Sequence, residues 1–171
     1  MSTSSSPVRG RLAALTSAFL TGCTISTPQR VRPLAKGDNP DAQVFVSVTG
    51  ARVQSGERAE FDRLTRRLHT TLEGQPGLLS HSIRREVFGL QAWTLTAWSS
   101  EAARDSFFRS PMHLEAMTTS AKLLAEVRVR RLTLRRNELP LSWNRALELL
   151  EKDPEASPPQ TVAEVISPMR N

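Results

Sequence analysis

The stretch Gln43–Val53, QVFVSVTGARV, alternates along its length and is rich in valine, which predicts a half-buried strand. Its place relative to the later periodic segments constrains the fold more than any other feature. Ser55 is positioned to cap a helix, with Glu57 and Glu60 in the first turn where carboxylates suit the dipole. Phe61, Leu64, Leu68 and Leu72 then form one helical stripe, which GQPGLL ends. LLSHSIRREVF and LQAWTLTAWS read as two strands meeting in a hairpin at Gly89. Ser99 or Ser100 starts a second helix. Ser110 caps the next, with Pro111 at the first helical position, where its missing N–H costs nothing. Leu114, Met117, Ala121 and Leu124 are the expected buried face of that helix.

AEVRVRRLTLRR is a final strand. Val127 and Val129 alternate in one phase, Leu132 and Leu134 in the other, and the slip predicts a bulge near Arg130–Arg131. LSWNRALELLEK is amphipathic through Trp143, Ala146, Leu147 and Leu150. The order is β-α-β-β-α-β, the split βαβ arrangement of an α+β, ferredoxin-like fold, with an added C-terminal helix and irregular extensions at both ends. The expected organisation is an apolar or helical segment and linker over residues 1–42, the ferredoxin-like domain over 43–137, the C-terminal helix over 138–153, and a flexible tail over 154–171.

Two helices cover one face of such a sheet. Val44, Val46 and Val48 share one side of the first strand, Phe45, Ser47 and Thr49 the other. In the third strand Trp93, Leu95 and Ala97 oppose Thr94, Thr96 and Trp98. The mixed side, hydroxyls among aromatics, suits a partly apolar cavity rather than bare solvent. A second sheet from a homodimer is the expected cover.

The 23 basic residues exceed the 17 acidic ones, but they are spread along the chain, and there is no tyrosine for a base-stacking platform. Nucleic acid is therefore not an expected partner. The single cysteine, Cys23, excludes disulfides and cysteine-based zinc sites within one chain. It ends RGRLAALTSAFLTGC, which resembles a bacterial lipoprotein signal and makes Cys23 a lipidation candidate. Against this, Val8, Leu12, Leu15 and Phe19 form a stripe that suits a docked amphipathic helix, and basic residues follow closely. A cytoplasmic protein is the first expectation, a membrane-anchored lipoprotein the alternative.

QPGLLSHSI (75–83), WTLTAWSSEAARDSFFRSPMHLEAM (93–117) and the opening VFVSV resemble the antibiotic biosynthesis monooxygenase-like family of the dimeric α/β-barrel superfamily. The resemblance implies a homodimer and oxidation of a small aromatic or quinol-type compound that reduces O2 itself, without metal, flavin or other cofactor. It places the substrate between helices and sheet, with His113 and Trp98 as catalytic candidates. Thr94, Thr96, His81, Phe107 and Met117 are the substrate-contact candidates. Haem-degrading relatives carry a tryptophan and a ligating histidine where this chain has Phe107 and Met117, so haem degradation of that type is not implied. Thr94 stands where cofactor-free members have an asparagine, and the family's tyrosine is missing. A non-catalytic ligand-binding or structural homodimer of the same fold is the alternative.

From the residues alone, His113 is either a proton acceptor at a cavity mouth or a first-turn residue bonded to a nearby carbonyl or Trp98, in either case neutral. His81 is in phase with Leu79 and Ile83 and reads as packed; His69 reads as surface. The three histidines show no metal-ligand spacing, so no metal is expected. Arg84, Arg85, Arg128, Arg130, Arg131, Arg135 and Arg136 read as solvated strand residues.

Overall fold

In the computed structural model, which describes residues 23–152 and 158–169, six strands form one sheet with helices on both faces. The elements run β1 (Thr24–Ser26), β2 (Arg30–Val31), β3 (Gln43–Val53), α1 (Arg58–Leu72), β4 (Leu78–Glu86), β5 (Gln91–Trp98), α2 (Glu101–Phe108), α3 (Pro111–Ser120), β6 (Leu124–Arg135), α4 (Trp143–Glu151) and α5 (Val162–Ile166). The central order β4-β5-β3-β6, with every pairing antiparallel, is the ferredoxin-like sheet that the β-α-β-β-α-β order implies. The expectations for residues 1–22, the docked helix and the lipoprotein-like signal, lie outside the described residues. Cys23 itself is exposed and unpaired as a thiol. No helix among the described residues is long and apolar enough to cross a membrane.

The two faces of the sheet are covered differently from expectation. Helices α1, α2 and α3 lie on the mixed face. The valine face is covered by the chain's own C-terminal segment: Val44, Val46, Val48, Leu95 and Ala97 form one buried cluster with Leu141, Ala146 and Leu150. The mixed face, for which a partner's sheet was the expected cover, thus lies under the chain's own helices, and the valine face under α4. Ser142 caps α4 by accepting from the Arg145 N–H, and the Trp143 indole donates to Ser82 Oγ at 3.1 Å. Gly50 makes the close approach feasible, because a Cβ there would sit 3.0 Å from Leu150 Cδ2 and 3.2 Å from Trp93 Cδ1.

This double cover also explains the phase change in β6. The pairing of β3 with β6 runs without a break from Gln43↔Arg135 to Arg52↔Glu126, so there is no bulge near Arg130–Arg131; the register shifts at Arg52/Val53 instead. Val127 and Val129 face the α1–α3 side, while Leu132 and Leu134 pack against the α4 side. Both phases are apolar because both faces are buried.

Four further local differences are seen. A turn closed by the Glu57 N–H on the Gln54 carbonyl, with Gly56 at φ +90°, contains Ser55, so α1 starts at Arg58 without a side-chain cap. Helix α3 has the predicted Ser110 cap and Pro111, but it buries Ala116 and Ser120, because Ala121 lies exposed past its end and Leu124 already belongs to β6. Part of the 24–42 linker pairs with the β4 edge as β1 and β2. Within 154–171, expected as a flexible tail, α5 packs Val162, Val165 and Ile166 on Val127, next to a two-bond bridge between Gln160 and Val127.

If α4 is the cover of the valine face, Leu150→Ala should cost about 2–5 kcal/mol of stability. Urea unfolding followed by circular dichroism measures this; a loss below roughly 0.5 kcal/mol, the level of an ordinary surface substitution, would mean α4 is not holding the core.

Candidate ligand cavity and its histidines

The alternation of β3 and β5 sets the floor of a cavity on the mixed face. Pairing Thr49 with Thr94 and Ser47 with Thr96 gathers four hydroxyl side chains under the helices. The α1 stripe of Phe61, Leu64, Leu68 and Leu72 forms one wall, and Ala116 and Met117 of α3 another. Phe107, Phe108 and His113 close one end; Val127, Val129 and Arg131 line the β6 side. The cavity measures about 150 Å³ and its lining is mostly apolar. Ser47 Oγ lies on the floor, buried, with no hydrogen-bond partner among the described residues. A ligand hydroxyl would relieve the cost of that arrangement.

His113 is held from two directions. Its backbone N–H donates to Ser110 Oγ at 3.3 Å, and its ring Nδ1 lies 3.0 Å from the Phe108 carbonyl. A carbonyl can only accept, so Nδ1 carries the proton and the neutral ring keeps its lone pair on Nε2. The imidazole stacks on Phe108 at 5.1 Å and sits 5.0 Å from Phe107. Burial lowers its pKa from the usual 6.5, and the bond to Phe108 opposes that shift. The ring is therefore a neutral base in an apolar setting. Arg131 places its guanidinium 5.8 Å from the Phe108 ring centre, a cation beside the same end of the cavity.

Of the residues singled out from sequence, His113, Thr94, Thr96, Phe107 and Met117 line the cavity together. Trp98 does not reach it. It is fully buried beneath Phe107, stacked at 5.3 Å, in a cluster with Leu72 and Leu78. His81 on β4 is not among the residues that line the cavity; it faces α1, where its Nε2 is 3.2 Å from His69 Nε2. Burial lowers the His81 pKa first and the His69 ring second, while Glu73 acts in the opposite direction. His69, expected at the surface, is half-buried and lines the cavity. His69, Glu73 and His81 bring three ligand-type atoms within 4.8 Å of one another. The sequence showed no metal-ligand spacing among the histidines; in the structure it is the packing of the end of α1 on β4 that brings these groups together. One signal was present in the sequence: His69 and Glu73 stand four positions apart at the end of α1. Ser47 and Phe108 were also missed, although Ser47 shares the phase of Thr49.

Residues 44–119 match the family model described as antibiotic biosynthesis monooxygenase. No curated protein matches the chain. Among solved structures, a Pseudomonas aeruginosa protein superposes with a TM-score of 0.50 at 15% identity, covering 54% of this chain and 94% of its own. A Nitrosomonas europaea protein of unknown function gives 0.51 at 14% identity, covering 60% and 99% respectively. These similarities carry the fold.

A buried neutral histidine makes stability depend on pH in a fixed direction. Because the folded-state pKa of His113 lies below its unfolded value near 6.5, the unfolded chain binds the proton more readily. Folding stability is complete above that value, declines as pH falls below it, and levels off under the folded pKa. Urea titrations from pH 8 to pH 5 should show this decline, and His113→Gln should flatten it, leaving the part due to His81. An unchanged slope in the variant would mean that His113 is not held neutral by burial.

Proposed function

We propose that this chain oxidises a small phenol or quinol in the cavity between its sheet and helices; the match of residues 44–119 to the antibiotic biosynthesis monooxygenase family, which includes cofactor-independent monooxygenases, supports this reading. The observation that carries the reading is His113: an imidazole with Nδ1 committed to the Phe108 carbonyl, leaving a basic Nε2 at the end of an apolar cavity. A phenol bound there loses its proton to that nitrogen, and the electron-rich phenolate is the form that O2 oxidises. In a phenol-to-quinone conversion one oxygen atom joins the ring and the other leaves as water, so the substrate supplies all the electrons. Arg131 favours the phenolate electrostatically, and Ser47, Thr94 and Thr96 offer hydroxyls to the ring substituents.

Cavity size narrows the class. A space of about 150 Å³ matches the apolar cavities that hold a benzene ring, so a single-ring compound fits better than a fused polycycle. Trp98, buried away from the lining, is in this reading a support for Phe107 rather than a catalytic residue. Proteins of this family are commonly dimers. A dimer of this chain formed over the valine face would meet the outer side of α4 rather than bare strands. The second reading, a ligand-binding domain without turnover, draws on Thr94 at the asparagine position and on the missing tyrosine.

Oxygen uptake with a panel of single-ring phenols and hydroquinones tests the proposal, with thermal shift on the same panel. Turnover that falls about 100-fold or more in His113→Ala is the expected result. Ligand-dependent thermal shifts without oxygen uptake would establish the binding reading, and neither response would overturn both.

A further inference from the structure

The pair of His69, which lines the cavity, and His81 beside it has no part in the proton chemistry assigned to His113. His69 is in the last turn of α1, Glu73 follows as its C-terminal cap, and His81 lies on the neighbouring strand β4. The helix end and the strand thus present two imidazoles and one carboxylate to a single point. The two Nε2 atoms are 3.2 Å apart. Two imidazoles bound to one first-row metal at about 2.0–2.1 Å stand roughly 3.3 Å apart in tetrahedral geometry and about 2.9 Å apart as octahedral neighbours. The observed separation lies between these values. A single shared proton also bridges two such nitrogens, but it leaves the carboxylate without a role.

We propose that His69, Glu73 and His81 form a binding site for a divalent transition-metal ion, with Zn2+ as the representative. The donor set is right for such an ion: two neutral imidazoles with one carboxylate suit borderline metals and not Mg2+ or Ca2+, which require oxygen ligands. The third donor is the adjustable one. Its oxygen is within 4.8 Å of both ring nitrogens, and Glu73 is exposed at a helix end, free to swing the remaining distance. Three protein ligands leave a coordination position open. Since His69 also lines the cavity, that position lies beside the ligand space. The site stands on these three residues and does not depend on the activity assigned to His113.

Isothermal titration of the full chain, without an affinity tag and in a Cys23→Ser background, with zinc sulfate tests this directly. Binding of one equivalent is expected, weakened at least tenfold in His69→Asn and in His81→Asn. Co2+ should give a visible absorption band that His81→Asn abolishes, and Mg2+ should give no binding heat. Circular dichroism establishes that the variants fold; if a histidine variant does not, Glu73→Gln at its exposed position decides, with weaker binding supporting the site. No uptake near one equivalent, uptake unchanged in both histidine variants, or unchanged affinity in Glu73→Gln overturns the three-ligand assignment. Oxygen uptake remaining normal in Glu73→Gln, whose exposed carboxylate is outside the cavity lining, while zinc affinity falls would separate this site from the proposed activity.

Discussion

Everything in this fold depends on the seating of α4 against the valine face of the sheet. Leu150 lies over Gly50, Ala146 and Leu141 fill the space beside it, and Val44, Val46, Val48 and Leu95 are removed from water beneath them. Full burial of a valine- or leucine-sized side chain contributes about 1.5–3 kcal/mol, so this one contact is comparable with the net stability of a small domain. Without it the sheet would present a continuous aliphatic surface to solvent. With it, the opposite face is released from being the only core and can enclose a cavity.

That opposite face shows how a site is built without a separate apparatus. The strands supply hydroxyls because serine and threonine occupy the alternate positions, and the helices supply the apolar walls. The first turn of α3 supplies an imidazole, His113. Ser110 fixes the start of α3, and the Phe108 carbonyl, one turn earlier, sets the tautomer of His113. Among the described residues, nothing polar satisfies Ser47 Oγ. The floor thus offers an unpaired hydroxyl beneath apolar walls, the arrangement on which the proposed substrate class rests.

Much of this was legible in the sequence, for identifiable reasons. Alternation in β3 and β5, the α1 stripe and the Ser110-Pro111 cap all report local geometry, and each reappears in the structure. The choice of face was not legible, because Val44 and Thr49 say only that the two sides differ, not which side the crossover helices take. The phase change of β6 looked like a bulge because sequence periodicity cannot distinguish a slip from a strand buried on both sides. Trp98 shares the phase of Thr94 and Thr96, which put this catalytic candidate on the cavity's side of the sheet, yet Phe107 lies between it and the space. The pairing of His69 with His81 depends on the packing of a helix end against a strand, information that no spacing within one element contains.

The corner where β4 begins decides more than its size suggests. Leu78 pairs with Trp98 and Ser80 with the adjacent Ala97, so Leu79 is one residue in excess. Gly77, at φ +75°, leads the chain into this corner where a Cβ would lie 2.5 Å from that of Ala103. The excess residue inverts the parity of everything after it. Continued without it, the ladder would set His81 opposite Leu95 and drive an imidazole into an aliphatic layer; with it, His81 stands opposite Thr96 and looks toward α1. One surplus residue therefore selects which compartment of the molecule receives the histidine, and the same choice sends Leu79 to the valine cluster.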